Sequence, residues 1–288
     1  MRCVRPSSNR IFFFLLCFLP ASLQSDRQRP PAMSWERKDV KIFGTDELAE
    51  GLAKHTAALS HKFAHHRRAF TVVLSGGYLI EKLRKLVEPP YVHEIDWSKW
   101  HIFWVDERVV KKTDPDSNYK LALDGFLSLV PIPANQIYSI NDEVDAKQAA
   151  EDYEAKLKEL VAHGVVEISP ETNFPRFDLM LLGMGPDGHL ASLFPHHPLL
   201  HERKKWVTFL EDSPKPPPVR ITFTFPVIDA SAYIFMVVAG SGEVDAVAKA
   251  IQGNASGDEL LPVQRVRLEN GEFTWFLDTL AASKLRSF

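Results

Sequence analysis

The pattern of short apolar runs constrains the fold of this chain more than any other feature. Apolar residues follow one another almost without interruption in Phe70–Gly77, His101–Arg108 and Phe177–Gly185. Short continuous runs of this kind are typical of strands that are buried on both faces of a sheet. Further runs follow in the second half of the chain, at 205–210, 220–225, 233–242 and 273–278.

Helical periodicity appears between these runs. Apolar residues recur at helical spacing from Thr45 to about His65, behind the acidic pair Asp46-Glu47, and again from Ala146 to Val161. Strands that alternate with helices form a parallel sheet whose faces the helices cover. The predicted fold is therefore α/β, a mostly parallel sheet with helices on both faces in a Rossmann-like single domain.

Composition narrows the class of protein. The chain has 288 residues, of which 45% are hydrophobic and 25% charged, with a formal net charge of -3. This length is enough to bury the core of one large α/β domain or two small ones, and the charge does not favour nucleic acid as a partner. Cys3 and Cys17 are the only cysteines. The folded body therefore has no intramolecular disulfide and no thiolate zinc site.

The first residues resemble a targeting segment. Three arginines precede the apolar run Ile11–Leu19, which is the layout of a secretory signal peptide and is too short to span a bilayer. The alternative is an upstream extension before a natural start at Met33. Either interpretation makes residues 1–34 a signal-like or disordered extension and leaves 35–288 as the domain. We expect a cytoplasmic location, or the secretory pathway and endoplasmic reticulum if the segment acts as a signal peptide.

Polar or glycine-rich residues follow three of the predicted strands. They are Ser75–Gly77, Asp106–Arg108 and Gly183–His189. Ligands of open parallel sheets bind outside the carboxyl ends of the strands, so three such ends at one edge would form a single site. Glycines there allow the backbone to turn sharply and to present amides to an anion or a developing oxyanion.

These motifs resemble a known family. "LSGG", "WVDERVV…DSNY" and "GMGPDGHLASLFP" occur in the order found in the 6-phosphogluconolactonase family, within the glucosamine-6-phosphate isomerase/lactonase fold group. The resemblance extends from about Trp35 to the C-terminus. At "DER" and "SLFP" the chain has the lactonase form and not the isomerase form.

The resemblance implies hydrolysis of 6-phospho-D-glucono-1,5-lactone to 6-phosphogluconate, a step of the pentose phosphate pathway, with no metal and no other cofactor. A neutral histidine can take a proton from water and return it to the departing ring oxygen, and we assign this role to His189. Asp187 would orient the imidazole or bind a sugar hydroxyl. Gly183 and Gly185 would shape the loop around the lactone carbonyl.

The phosphate group of that substrate needs cations and backbone donors. Ser75, Gly76 and Gly77 would supply amides and a hydroxyl where strand turns into helix. Arg108 and Arg220 are candidate guanidinium groups for bidentate phosphate contact. The alternative for Arg108 is a structural salt bridge.

Asp106 is also a candidate substrate-binding residue. The structural alternative is that its carboxylate holds Arg108 or a loop amide. The expected partner of the site as a whole is a small phosphorylated sugar lactone. We expect no nucleic acid and no stable membrane association, and the sequence leaves the oligomeric state open.

The chain departs from the family pattern at three positions. Tyr78 stands where the lactonases usually have serine, Leu190 replaces the usual threonine, and Glu243 lies where a phosphate-binding lysine is expected. An acid beside a dianionic phosphate is repulsive. An alternative function is therefore a catalytically weak or silent member that binds a sugar phosphate or a protein partner. An isomerase or deaminase of the same fold is a third hypothesis.

Overall fold

Six parallel strands form the central sheet of the computed structural model, which describes residues 40–286. The predictions for residues 1–34 therefore lie outside the described part of the chain. The strands, in chain order, are β1 (Val40–Phe43), β2 (Phe70–Leu74), β3 (Trp100–Trp104), β4 (Asp106–Arg108), β5 (Glu167–Ile168), β6 (Pro175–Arg176), β7 (Leu179–Leu182), β8 (Val207–Leu210), β9 (Arg220–Phe223), β10 (Tyr233–Val238) and β11 (Glu272–Asp278). The central sheet has the order β1-β11-β10-β7-β2-β3.

Helices connect most of these strands. They are α1 (Leu48–Arg67), α2 (Leu79–Lys82), α3 (Tyr91–Glu94), α4 (Asn118–Gly125), α5 (Ala146–Ala162), α6 (Phe225–Asp229) and α7 (Val244–Gln252). Short 3-10 turns lie at Leu83–Val87, Trp97–Lys99, Leu127–Leu129, Ala134–Gln136, Pro198–His201, Gly257–Glu259 and Pro262–Arg265. None of the helices described in residues 40–286 is both long enough and apolar enough to cross a membrane.

Each face of the central sheet has its own hydrophobic core. Val73 of β2 packs in a cluster that contains Tyr153 of α5. Its neighbour Val72 points to the other face and packs in a cluster that contains Leu48 of α1. Successive side chains of a strand face opposite sides, so continuous apolar strands require cover on both sides. This arrangement confirms the predicted fold class.

The order of the strands locates a crevice between β2 and β7. After β2 the next strand of the sheet along the chain, β3, lies on one side of it. The later strands β7, β10 and β11 are added in turn on the other side of β2. Ligands of open α/β sheets bind at such a reversal, beside the carboxyl ends of the strands. Residues 75–78 and 183–189, which follow β2 and β7, flank this point.

The run His101–Arg108, predicted as one strand, forms two. β3 ends at Trp104, and β4 pairs antiparallel with β9 in a separate three-stranded sheet of order β4-β9-β8. Val105 joins the two sheets, because its N–H bonds to the Leu74 carbonyl at 3.0 Å and its carbonyl accepts from the Phe223 N–H at 2.7 Å. The sequence of the run does not reveal that its partner strand changes from β2 to β9.

A buried carboxylate ties the starts of β2 and β7 to the end of α1. Asp178 accepts hydrogen bonds from the Thr71 N–H and hydroxyl, at 2.8 and 2.9 Å, and forms an ion pair with Arg67. Burial raises the pKa of Asp178, and the Arg67 charge and the Thr71 donors act against that rise. Arg67 also pairs with Glu167 at 3.0 Å, but that carboxylate is half exposed.

We predict that Asp178→Ala destabilises the fold by about 3–5 kcal/mol, because it removes the buried half of the ion pair with Arg67 and leaves the two buried Thr71 donors without their acceptor. The matched control is Glu167→Ala, which removes the exposed partner of the same arginine and should cost at most about 1 kcal/mol. Urea unfolding of both variants measures the difference. Equal losses in the two variants would contradict the role given to Asp178.

Candidate active site

An open cleft of about 200 Å³ lies at the carboxyl ends of β2 and β7. Nine of the ten predicted site residues line it: Ser75, Gly76, Gly77, Asp106, Arg108, Gly183, Gly185, His189 and Arg220. The remaining lining residues, which the site prediction did not include, are Tyr78, Asn118, Met184, Ala191 and Glu243. Asp187 contacts the imidazole of the lining residue His189.

The imidazole of His189 is held by Asp187. Nδ1 of His189 lies 2.5 Å from Oδ1 of Asp187, and the His189 backbone N–H lies 3.4 Å from the same oxygen. The ring also packs against the ring of Phe194, with 4.6 Å between centroids. The His189 side chain is 18% exposed. It is therefore fixed in position and still open to the cleft.

The state of Asp187 determines which ring nitrogen of His189 carries the proton. Burial alone would raise the pKa of Asp187, but the hydrogen bond from His189, its charge and nearby backbone N–H groups together lower the pKa below its usual range. Asp187 is therefore ionised at neutral pH and can only accept hydrogen bonds. The neutral imidazole must then carry its proton on Nδ1, which leaves the lone pair of Nε2 available to take a proton.

Only glycine fits at position 185. A Cβ atom there would lie 2.1 Å from Cε1 and 2.2 Å from Nδ1 of His189. The Gly185 N–H donates to the His189 carbonyl at 3.0 Å, so this amide is not available to an oxyanion. Gly185 thus makes room for the imidazole and closes the loop around it.

Asp106, Ser192 and Arg220 form a buried polar cluster at the edge of the cleft. The Ser192 hydroxyl donates to Oδ2 of Asp106 at 2.7 Å, and Nη1 of Arg220 lies 3.3 Å from the same hydroxyl. Asp106 and Arg220 are 7% and 3% exposed. Ser192 lies within the "SLFP" segment, where its hydroxyl serves as the bridge between the two charged residues.

Most donors of Arg220 are already used by the protein. Nε donates to the Pro217 carbonyl at 2.9 Å, and Nη2 donates to the carbonyls of Lys215 and Pro216 at 2.8 and 3.1 Å. The guanidinium therefore holds the proline-rich connector in place, and at most one Nη1 hydrogen remains for a ligand. Burial lowers the pKa of Arg220, against the opposing charge of Asp106.

Arg108 keeps more donors than Arg220. Its Nη1 donates to the Asp116 carbonyl at 2.6 Å, while its buried Nε has no hydrogen-bond partner within residues 40–286. No carboxylate of the described residues forms a salt bridge with it, so the structural alternative of an ion pair is not observed. Its remaining guanidinium hydrogens make Arg108 the stronger candidate for contact with an anion.

Glu107 organises the start of α4. Its carboxylate accepts from the N–H groups of Asn118 and Tyr119 at 2.8 and 2.7 Å. Burial raises the pKa of Glu107 to about 7, although these backbone donors act in the opposite direction. A carboxylate is favourable at a helix N-terminus. The central acid of the "DER" motif therefore caps the helix that carries "DSNY".

This helix brings Asn118 into the cleft beside Gly76. Nδ2 of Asn118 donates to the Asp106 carbonyl at 3.1 Å. A Cβ atom on Gly76 would lie only 1.8 Å from Oδ1 of Asn118, so the approach requires glycine. Asn118 belongs to the quoted "DSNY" motif, and its position directly after the N-cap Ser117 is the sequence signal that could have placed it in the site.

The backbone after β2 offers fewer amides than predicted. The Ser75 N–H donates to the Leu181 carbonyl at 3.0 Å and is therefore unavailable to a ligand. The N–H groups of Gly76 and Gly77 form no hydrogen bond within the described residues. Any anion bound at this turn would be held by the latter two.

Tyr78 and Glu243 form another part of the lining. The Tyr78 hydroxyl donates to the Val237 carbonyl at 2.7 Å, which fixes the ring at the end of β10. Burial raises the pKa of Tyr78, and the charge of Glu243 raises it further. Tyr78 and Glu243, two of the three departures from the family pattern, therefore lie close together in the cleft. The third, Leu190, is buried in the core.

Within residues 40–286, no group of three or more histidine, cysteine or carboxylate side chains is arranged to hold a metal ion. The paired histidines His65-His66 have ring centroids 5.1 Å apart and lie on α1, outside the cleft.

Comparison with known proteins assigns the family. A family model described as "Glucosamine-6-phosphate isomerases/6-phosphogluconolactonase" matches residues 44–275. The chain belongs to this family. This match confirms the family that the motifs "LSGG", "WVDERVV…DSNY" and "GMGPDGHLASLFP" predicted.

Named relatives in this family include both plant proteins and solved structures. "Probable 6-phosphogluconolactonase 4, chloroplastic" of Oryza sativa subsp. indica is 63% identical over 86% of this chain and 77% of its own length. "6-phosphogluconolactonase 3, chloroplastic" of Arabidopsis thaliana is 57% identical over 87% and 76% of the two chains. The solved 6-phosphogluconolactonase of Thermotoga maritima superposes with a TM-score of 0.68 at 25% identity, over 83% and 98% of the two chains.

We predict that Gly185→Ala separates the imidazole of His189 from Asp187, because the added methyl group overlaps the ring. Proton NMR should show the loss of the downfield Nδ1–H resonance that a short bond to a carboxylate produces. Gly242→Ala is the control: its Cβ would meet nothing within 4 Å, and the resonance should persist. A resonance that survives in Gly185→Ala would contradict the described loop geometry.

Proposed function

We propose that this chain hydrolyses 6-phospho-D-glucono-1,5-lactone to 6-phosphogluconate, with His189 as the general base. The observation that carries the proposal is the 2.5 Å contact between Nδ1 of His189 and Asp187 at the edge of the cleft. It leaves the lone pair of Nε2 as the proton acceptor of this cleft-lining residue. The names of the rice and Arabidopsis relatives support the choice of substrate.

The reaction needs one base that later acts as an acid. Nε2 of His189 takes a proton from water while the water oxygen bonds to the lactone carbonyl carbon. The bond between that carbon and the ring oxygen then breaks, and the imidazolium returns the proton to the ring oxygen. Ionised Asp187 stabilises the imidazolium between these steps. Such a base typically contributes about 10²–10⁴ in rate.

Binding of the phosphate group is the second requirement. The unused donors of Arg108 and the amides of Gly76 and Gly77 are the groups that would contact it, since a planar guanidinium suits phosphate oxygens. Asp106 and Arg220 also line the cleft, but their main contribution would be to fix Ser192 and the proline-rich connector in place. No metal enters the proposal, because the carbonyl of an ester-like lactone is already electrophilic.

We predict that His189→Ala lowers the rate of lactone hydrolysis by about 10²–10⁴. Asp187→Asn should lower it at least about ten-fold, because the amide can stabilise the wrong tautomer of the imidazole. Acid release at constant pH, corrected for the spontaneous reaction, measures both.

The control is His197→Gln. It disrupts another His–Asp pair, in which Nε2 of His197 lies 3.1 Å from Oδ1 of Asp212. Because this pair lies outside the cleft, the variant should keep full activity. If the wild type only matches the spontaneous rate, the alternative of a silent sugar-phosphate-binding member gains support. Release of ammonia from glucosamine 6-phosphate would instead favour an isomerase or deaminase.

The location of the protein is proposed from its relatives. The rice and Arabidopsis relatives cited above are named as chloroplastic, so they do not support the expected cytoplasmic location. We propose that the chain acts in plastids. The full chain, fused at its C-terminus to a fluorescent protein in leaf cells, should coincide with chlorophyll fluorescence. A diffuse cytosolic signal or a reticular signal would contradict this proposal.

A further inference from the structure

Glu243 is a carboxylate in the cleft that pairs with no cationic side chain of residues 40–286. It directly precedes α7 and lines the cleft together with His189 and Tyr78. Within residues 40–286 its side chain forms no ion pair. Asp245, two positions further along, is exposed and pairs with Lys284 at 2.6 Å.

The surroundings of Glu243 place its charge within reach of the reacting region. Burial raises its pKa, while its own backbone N–H and the charge of His189 lower it. Its charge in turn contributes to the raised pKa of Tyr78. Since negative charge is favourable at a helix N-terminus, the start of α7 helps this position to tolerate an unpaired carboxylate.

The balance of charge in the cleft depends on this residue. Two guanidinium groups, those of Arg108 and Arg220, and two carboxylates, those of Asp106 and Glu243, line it. The formal charges cancel when His189 is neutral. Arg220 has given most of its donors to backbone carbonyls. The two carboxylates therefore offset much of the attraction that the two guanidinium groups exert on a dianionic ligand.

We propose that Glu243 sets the charge preference of the cleft, weakening the binding of phosphorylated sugar acids and lactones relative to their unphosphorylated counterparts. The proposal deepens the proposed function and relies on it for the class of ligand. A carboxylate repels a phosphate dianion, whereas the hydroxyl groups of an uncharged sugar end can donate to it. The cleft should consequently accept unphosphorylated polyhydroxy lactones as well.

The test compares two stable ligands that differ only in the phosphate group. Isothermal titration gives the dissociation constants of 6-phosphogluconate and gluconate, and their ratio isolates the effect of the phosphate. In Glu243→Gln, which keeps the shape and removes the charge, the preference for 6-phosphogluconate should rise roughly three- to five-fold. In Glu243→Lys it should rise further, to roughly ten- to twenty-fold, since the change in charge is doubled.

Asp245→Asn is the matched control, because it removes one negative charge two residues away without changing the lining. Its preference ratio should stay at the wild-type value. An equal shift in Asp245→Asn would overturn the proposal in favour of a general effect of net charge. Weaker binding of both ligands to Glu243→Gln would also overturn it, since Glu243 would then serve mainly to bind hydroxyl groups.

The two proposals can fail separately. Lactone hydrolysis by the wild type, with an unchanged ratio in both Glu243 variants, would overturn the charge preference and leave the proposed function intact. Absence of hydrolysis, with a ratio that rises as predicted, would overturn the proposed function and leave the charge preference supported.

Discussion

The pairing of β2 with β7 is the constraint on which the rest of the site depends. The bond from the Ser75 N–H to the Leu181 carbonyl, at 3.0 Å, continues this pairing to the point where both strands end. It brings the turn after β2 beside the loop that carries His189. Because the order of the strands reverses between them, the chain leaves a crevice at this point beside the carboxyl ends of the strands. A continuous apolar core on both faces fixes the pairing.

Most of the sheet could be predicted from the sequence because buried parallel strands have a simple signature. The runs at β2, β7 and β10 are continuous and apolar, and their ends are marked by glycine. The change of sheet at Val105 was not predictable in this way, since both sides of it are buried. The short strand β1 also gives little signal, because four half-buried or exposed residues have no periodicity to detect.

The membership of the site was easier to predict than the roles within it. The sequence predicts that Gly185 shapes the loop around the lactone carbonyl and that Asp187 can orient the imidazole of His189. In the structure Gly185 makes room for the imidazole itself, and Asp187 contacts the ring. Arg220 and Ser75 line the cleft as expected, but their donors are bound to backbone carbonyls. Arg220 donates to the nearby proline-rich connector, and the Ser75 N–H donates to Leu181 of the neighbouring strand. Competition of this kind depends on the folded course of the backbone, which a motif does not contain. Glu107 illustrates the same limit, because its capping of α4 becomes visible only once the helix is placed.

We propose that the ring of His189 presents Nε2 to a lactone carbonyl, while the side of the cleft that Arg108 lines holds the phosphate. A crystal structure with 6-phosphogluconate bound tests this most directly. We expect the C1 carboxylate of the ligand to lie within hydrogen-bonding distance of Nε2 and its phosphate to contact Arg108. A ligand with its phosphate beside Glu243, or bound outside the cleft, would contradict it.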